Sequence, residues 1–122
     1  MENMKILIAE DELLILKTIE MRLKKEGYEV IAVSDGLAAL EQIKTNSPDV
    51  IILDIMMPFF SGLEIVAEVR QVLKLQVPII MLSSMGQEDT MVQAFKLGAN
   101  DYVTKPFSPN ELLARIGRYC NL

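Results

Sequence analysis

Five short apolar runs, separated by longer stretches of helical periodicity, limit this chain to a small set of folds. Four of the runs are almost continuous in Ile, Val and Leu, as is typical of strands buried on both faces of a parallel sheet. Strands and helices that alternate along a chain predict an α/β fold with helices on both faces of the sheet. The predicted strands are Ile6 to Ala9, Val30 to Val33, Val50 to Leu53, Ile79 to Leu82 and Tyr102 to Val103.

The stretches between these runs carry signals for the ends of five helices. Gly27 suits the left-handed conformation that often follows a helix, and Ser108-Pro109 is a capping signal for the last helix. Glu10 and Asp11 are expected to open the first helix, where acids favour the helix dipole. The predicted core faces are Leu16, Ile19 and Leu23 in the first helix; Leu37, Leu40 and Ile43 in the second, over 36–44; Leu63, Val66, Val69 and Leu73 in the third; and Leu112, Leu113 and Ile116 in the last, with a fourth helix from about Glu88 to Leu97.

Length and composition exclude several classes of protein. The chain has 122 residues, 51% of them hydrophobic, so residues 1–122 are predicted to form a single domain. Seventeen acidic residues outnumber 12 basic ones without a Lys or Arg cluster, so we expect no direct binding of nucleic acid by this segment. No apolar stretch approaches the roughly 20 residues that span a bilayer, so we expect no membrane insertion. The single cysteine, Cys120, cannot form an internal disulfide, which favours a reducing, cytoplasmic location.

Residues that can handle phosphate stand at the carboxyl ends of four predicted strands. Glu10 and Asp11 follow the first strand, Asp54 the third, Ser83 the fourth and Lys105 the last. Because the strands are predicted to be parallel, these ends meet at one edge of the sheet, where open α/β sheets bind their ligands. The chain contains no histidine, so chemistry at this edge has to rest on carboxylates and on any metal they hold.

The acids at this edge require positive charge nearby. Two carboxylates about 4 Å apart repel by roughly 4 kcal/mol at an effective dielectric constant near 20. Lys105 supplies one charge, and Mg²⁺ is a natural second because it binds one or two carboxylates and leaves other positions for water and phosphate oxygens. Each residue taken alone also fits an ordinary turn or capping role. Together they indicate a phosphoryl-transfer site with Asp54 as the acceptor.

Four stretches extend this pattern into the motifs of a known family. They are ILIAEDE at residues 6–12, DIMMP at 54–58 with Gly62, PIIMLS at 78–83 and DYVTKPF at 101–107. In this order, over almost the whole chain, they resemble the receiver domain of two-component response regulators. The resemblance implies a CheY-like, flavodoxin-like (βα)5 three-layer sandwich with a parallel five-stranded sheet in the order 2-1-3-4-5. The segment over 108–116 is most similar to receivers of the OmpR/PhoB type, which are attached to DNA-binding domains that regulate transcription.

The resemblance also implies the chemistry of the acidic edge. Asp54 would accept a phosphoryl group from a histidine kinase or phosphotransfer protein. Asp11 and Asp54 would bind Mg²⁺ with the backbone carbonyl of Met56, and Glu10 would assist through water. Such a chain would be a signalling domain that promotes its own phosphorylation and dephosphorylation, and not an enzyme. Met56 and Met85 stand at positions that tune the lifetime of the phosphoryl group in the family, and since both are apolar we expect a persistent group.

A conformational switch is implied by the same resemblance. Lys105 would pair with the phosphoryl group, and Ser83 would be drawn toward it. Tyr102 would then turn inward into the space left behind, as a population shift between two states. The peptide bond between Lys105 and Pro106 is expected to be cis, a form that X-Pro bonds permit.

Three apolar residues are predicted partner contacts. Leu14 and Met21 lie nearly opposite the core face of the first helix at about 100° per residue, and Phe59 lies beside the predicted site. Receivers commonly dock their kinases with this helix, so we expect these side chains to contact the kinase. Receivers of the OmpR/PhoB type also form phosphorylation-dependent homodimers through the fourth and fifth helices, with charge pairs such as Asp101 with Arg115.

Two other functions stay open at this point. A metal-dependent phosphatase with an aspartyl-phosphate intermediate generally has an acid/base aspartate two positions after the nucleophile, where this chain has Met56. A flavin-binding module of similar sheet order needs a loop rich in hydroxyls and glycine after the first strand, where this chain has acids. An uncoloured purified protein would argue against the flavin, and a lack of turnover on phosphate esters would argue against the phosphatase.

Overall fold

Strands and helices alternate along the chain in the predicted order. The computed structural model describes residues 4–84 and 86–120. The strands are β1 (Lys5–Ala9), β2 (Glu29–Val33), β3 (Val50–Asp54), β4 (Ile79–Ser83) and β5 (Asp101–Thr104). The helices are α1 (Leu13–Lys25), α2 (Gly36–Asn46), α3 (Gly62–Ala67), which continues as a π-helical segment (Glu68–Val72), α4 (Glu88–Leu97) and α5 (Pro109–Cys120).

All five strands form one parallel sheet in the order β2-β1-β3-β4-β5, which confirms the predicted flavodoxin-like arrangement. β2 lies on one side of β1 and β3 lies on the other, so the order of the strands along the sheet reverses between β1 and β3. Sheets of this kind bind their ligands at that point. The central strand is β3, and all of its residues are buried. The peptide bond between Lys105 and Pro106 is cis, as expected.

Apolar side chains cover both faces of this sheet, in agreement with the nearly continuous apolar runs. On one face, Leu7 and Ile51 pack with buried residues of α2, α3 and α4. On the other face, Ile8 and Ile52 pack with buried residues of α1 and α5. Full burial of such a side chain stabilises the fold by roughly 1.5–3 kcal/mol relative to exposure. The helices therefore hold the strand ends in fixed positions.

Most helix ends follow the local sequence signals. Gly27 has φ +96° after the end of α1, as predicted for that glycine. The Ser108 hydroxyl accepts a hydrogen bond from the Glu111 N–H at 3.1 Å, which caps the start of α5.

In the part of the chain that the structure describes, no helix combines the length and the apolarity needed to cross a membrane.

The prediction that Glu10 and Asp11 open the first helix is wrong. The N–H of Glu10 donates to the Val33 carbonyl at 3.1 Å, so the backbone continues the ladder between β1 and β2 for one more residue. Helix α1 therefore begins only at Leu13.

The predicted core face of α2 is also partly wrong, because Leu37 is 45% exposed. A Cβ at Gly36 would lie 2.1 Å from the carbonyl oxygen of Phe60. Because glycine has no Cβ, α2 packs closely against the Phe60 backbone at this position. The buried face then follows at helical spacing through Ala39 and Ile43, and Leu37 is turned away from it.

Candidate functional site

The central strand ends on Asp54, and the register of its neighbours places two predicted site residues beside it. Asp54 pairs with Leu82, so Ser83 lies one position beyond that pair. Glu10 directly follows the β1 residue that pairs with Leu53. Asp54 is 5% exposed and Ser83 2%, while Glu10 is fully buried. Charges in such surroundings interact more strongly than they do in water.

Lys105 reaches the same point from the end of β5. Its ammonium Nζ lies 2.7 Å from Glu10 Oε1, 3.2 Å from Asp54 Oδ2 and 3.5 Å from Glu12 Oε1. Its backbone N–H donates to the Ser83 carbonyl at 2.6 Å, which holds the lysine next to β4. The predicted acids Glu10 and Asp54 therefore meet the ammonium of Lys105, and the backbone of Ser83 lies beside them on β4. Glu12 is a further member that the strand-end pattern missed, although it belongs to the ILIAEDE motif.

Three acids in this cluster are close enough to share a metal ion. Glu10, Asp11 and Asp54 each offer a carboxylate oxygen, and these oxygens lie within 4.8 Å of one another. Glu10 Oε1 touches the ammonium of Lys105, yet among the described residues no donor meets this buried oxygen with hydrogen-bonding geometry. A buried acceptor without a directed donor is costly, and hard oxygen ligands suit a partly hydrated Mg²⁺. The acids therefore fit this ion.

The buried site also changes the ionisation of Glu10 and Lys105. Burial raises the pKa of Glu10 to about 7; the ammonium of Lys105 opposes this rise, and the Asp54 carboxylate adds to it. Burial alone would lower the pKa of Lys105, but the carboxylates of Glu10 and Asp54 outweigh it, and the pKa is raised. A cation that joined the acids would favour the charged form of Glu10.

The loop that follows Asp54 is anchored by Gly62. The Gly62 N–H donates to the Ile55 carbonyl at 2.8 Å, and a Cβ at this position would lie 2.4 Å from the Asp54 carbonyl oxygen. Glycine therefore allows an approach that any other residue would obstruct. Met56, whose carbonyl is a predicted metal ligand, lies in this loop, and its side chain is 65% exposed. Met85, the other position predicted to affect phosphoryl lifetime, lies outside the described residues.

Both predicted switch residues line a depression of about 330 Å³. Ser83 is buried, whereas Tyr102 is 41% exposed and directs its ring against that of Phe95, edge to face, with 5.8 Å between centroids. The loop after β4 begins at Ser84, whose N–H donates to the Gln87 side chain at 2.5 Å. Tyr102 is therefore on the outside of the domain in this structure, with a concave surface next to it.

The residues predicted to contact partners lie on the surface, with one exception. Leu14 is 81% exposed, Met21 70% and Phe59 75%. Asp101 is buried and forms an ion pair within the chain, because its Oδ1 lies 2.6 Å from Arg115 Nη1. Exposure is compatible with partner contact, which stays a prediction.

Comparison with known proteins gives relatives over nearly the whole chain. The family described as response regulator receiver domain matches residues 6–117. The alkaline phosphatase synthesis transcriptional regulatory protein PhoP of Bacillus subtilis (strain 168) is 45% identical over 114 residues, which make up 93% of this chain and 47% of that protein. The chain therefore spans about half the length of this relative.

Solved structures share the fold. A response regulator from Chloroflexus aurantiacus J-10-fl is 35% identical and superposes with a TM-score of 0.89, covering 99% of this chain and 100% of that one. The chemotaxis response regulator CheY4 of Vibrio cholerae is 32% identical with a TM-score of 0.89, covering 97% and 99%. These likenesses do not favour the phosphatase or the flavin-binding alternative. Together with the family match, they show that the chain belongs to the response regulator receiver domains of two-component systems.

Proposed function

We propose that this chain is a phosphoacceptor switch in which Asp54 receives a phosphoryl group from a histidine kinase or phosphotransfer protein. The proposal rests above all on the Lys105 ammonium, 3.2 Å from an Asp54 carboxylate that the buried central strand holds in place. A carboxylate on a rigid strand is a positioned oxygen nucleophile. A fixed ammonium beside it stabilises the charge of the transferred group.

In the transfer, an Asp54 oxygen forms a bond to phosphorus while the bond from phosphorus to the donor nitrogen breaks and its electron pair returns to the donor imidazole. Lys105 pairs with a phosphoryl oxygen. Asp11, Asp54 and the backbone carbonyl of Met56 would hold Mg²⁺, and Glu10 would assist through water, in line with carboxylate oxygens of the three acids that lie within 4.8 Å of one another. When bound, the ion neutralises charge on the phosphoryl oxygens. The same groups support hydrolysis of the acyl phosphate, so the domain promotes both its phosphorylation and its dephosphorylation.

Phosphorylation then shifts the domain between two states. The Ser83 hydroxyl hydrogen-bonds to a phosphoryl oxygen, the loop at Ser84 follows, and Tyr102 turns inward from its outer position against Phe95. The depression of about 330 Å³ beside Ser83 and Tyr102 offers space for this movement. A change from mostly inactive to mostly active takes roughly 5 kcal/mol of differential binding.

We place the phosphoryl donor on the outer face of α1. Leu14 and Met21 are its proposed contacts, because they are exposed apolar residues on one helix, and Phe59 is the proposed contact next to the acceptor. We place a phosphorylation-dependent homodimer on α4 and α5, where the ion pair of Asp101 with Arg115 joins β5 to α5.

The remaining proposals concern the context of the chain. Residues 1–122 are proposed to form one receiver domain, in line with the match over 6–117. The name of PhoP describes a transcriptional regulatory protein, and we propose a transcriptional output for this chain by analogy. A cytoplasmic location is proposed because the single cysteine, Cys120, forms no internal disulfide, as is typical of proteins in a reducing compartment.

Labelling with acetyl phosphate tests the phosphoacceptor proposal. In the presence of Mg²⁺, the wild-type chain is expected to gain one phosphoryl group, and Asp54→Asn is expected to gain none. The matched control is Asp89→Asn, which changes an exposed aspartate in the first turn of α4 and is expected to label like the wild type. Equal labelling of Asp54→Asn and wild type would contradict the proposal.

A further inference from the structure

The loop between β3 and α3 turns at Phe59 in a conformation that residues with a side chain rarely adopt. Phe59 has φ +72°, and the Phe60 N–H donates to the Pro58 carbonyl at 2.9 Å. This hydrogen bond closes a three-residue γ-turn of the positive-φ form, which is rare and strained. Among the described residues, the other non-glycine positions with positive φ are Ser47 and Lys74, which follow helix ends where this conformation is common.

The Phe59 ring contributes little packing to the fold. The ring is 75% exposed, whereas the neighbouring Phe60 packs against the core. Backbone groups hold the loop in place on both sides, since the Gly36 N–H donates to the Pro58 carbonyl at 3.1 Å and Gly62 is anchored near Asp54. Glycine at position 59 would form the same turn with less strain. A strained backbone that displays an unused aromatic ring points to a function for that ring.

We propose that Phe59 is a specificity-determining contact for the protein that donates the phosphoryl group, and that its ring inserts into an apolar recess on the donor. The inference rests on the proposed function of Asp54. Five residues span no more than about 18 Å, so Phe59 stays within that distance of the acceptor. A donor protein that brings a phosphorylated imidazole to bonding distance of Asp54 therefore has to cover this loop.

The properties of the ring favour this occupant over others. A large exposed aromatic side chain is the kind of residue that dominates protein interfaces when it becomes buried. The anchored turn presents the ring in a fixed place, so little conformational freedom is lost on binding. A small donor such as acetyl phosphate reaches Asp54 without contact to the ring. The rate of labelling by acetyl phosphate therefore reports the chemistry at Asp54 without the recognition of a donor protein.

The test compares Phe59→Ala and Phe59→Gly with a control, Leu37→Ala, which truncates a 45% exposed side chain on α2. Purified histidine kinases of the host genome are autophosphorylated with labelled ATP, and the fastest donor to wild type is used for the variants. Both Phe59 variants are expected to lower the second-order transfer rate about tenfold, a loss typical of one buried aromatic contact. The control and all acetyl phosphate rates are expected to stay at the wild-type value.

Thermal melting supplies an independent readout. Because glycine relieves the strain, Phe59→Gly is expected to melt at or above the wild-type temperature, by up to about 3 °C. Wild-type transfer rates in both Phe59 variants would overturn the proposal, as would an equal loss with kinase and acetyl phosphate or a lower melting temperature in Phe59→Gly. If acetyl phosphate failed to label the wild type, the proposed function itself would fail, which is a different result from these.

Discussion

At the scale of single residues, Glu10 is a buried carboxyl group whose charged form is disfavoured by its surroundings. It is fully buried, and its Oε1 atom has the Lys105 ammonium 2.7 Å away but, among the described residues, no well-directed hydrogen bond. Burial raises its pKa to about 7 from an ordinary value of 4.5. The folded protein therefore binds a proton here more tightly than the unfolded chain does.

This difference predicts how stability depends on pH without metal. The stabilisation by the bound proton is fully present below pH 4.5 and is lost as the pH rises to about 7. In EDTA, we expect the free energy of unfolding to fall by at most about 3 kcal/mol across this range, and Glu10→Gln to remove most of that fall. Urea titrations of the wild type and of Glu10→Gln at several pH values measure this free energy of unfolding. Parallel pH profiles for the two proteins would show that Glu10 is not the group responsible.

Met56 lies two positions after Asp54, the proposed acceptor. Its exposed thioether is a poor hydrogen-bonding group and cannot position a hydrolytic water. Met56→Asn supplies a donor and an acceptor at that place, so we expect the half-life of the phosphorylated protein to shorten roughly tenfold, equivalent to about 1.4 kcal/mol. Met21→Asn serves as the control, because Met21 is also exposed but lies on α1. An unchanged half-life in Met56→Asn would rule out this role.

At the scale of secondary structure, α1 buries Leu16, Ile19 and Leu23 against the sheet and leaves other apolar residues in solvent. Leu14 on its outer face is 81% exposed. If this face docks the kinase, Leu14→Ser should slow transfer from the kinase roughly tenfold and leave labelling by acetyl phosphate unchanged.

The matched control for this prediction is Leu37→Ser, which makes the same change on the exposed side of α2. Transfer rates from one autophosphorylated kinase are measured for both variants side by side. Equal rates for Leu14→Ser and Leu37→Ser would remove α1 from the interface.

The types and order of the elements could be predicted because the apolar runs and the helix end signals agree with each other. Each strand extends beyond its apolar run by one residue at one end, and β5 does so at both. The extra residues are all polar, so an apolar pattern omits them although their backbone continues the ladder. The carboxyl-end additions include Asp54 and Ser83, which lie in the site.

Other features depend on tertiary packing that local patterns do not contain. The rotation of α2 that exposes Leu37 follows from the contact of Gly36 with the Phe60 backbone. The γ-turn at Phe59 runs against the preference of its residue, so no propensity predicts it. In the site, strand-end positions predicted which residues meet, but the 2.7 Å contact of Lys105 with Glu10 required the register of the folded sheet.

At the scale of the whole molecule, α4 presents apolar side chains next to Tyr102, the proposed switch residue. Val92 is 52% exposed and Phe95 is 42% exposed on this helix. If Tyr102 turns inward on activation as proposed, the surface available to a second copy of the chain changes. We therefore expect beryllofluoride with Mg²⁺, which mimics the phosphoryl group, to shift the protein from monomer to dimer.

A charge at the centre of that surface is expected to prevent the shift. Val92→Asp should remain monomeric with beryllofluoride in sedimentation velocity, while Val72→Asp, on the π-helical segment and 62% exposed in the wild type, should still dimerise. Desolvation of one buried, unpaired charge is costly enough to dissociate a modest interface. Equal dimerisation of the two variants would place the interface elsewhere.

The most direct measurement is to trap the phosphorylated residue chemically and identify its position. Borohydride reduces an acyl phosphate of aspartate to homoserine, and tandem mass spectrometry of the digested chain then locates the change. After treatment with acetyl phosphate and Mg²⁺, we expect homoserine at Asp54 and unchanged aspartate at Asp11. Homoserine at Asp11, or phosphate retained on Ser83 with Asp54 unmodified, would contradict the assignment of Asp54 as the phosphoacceptor.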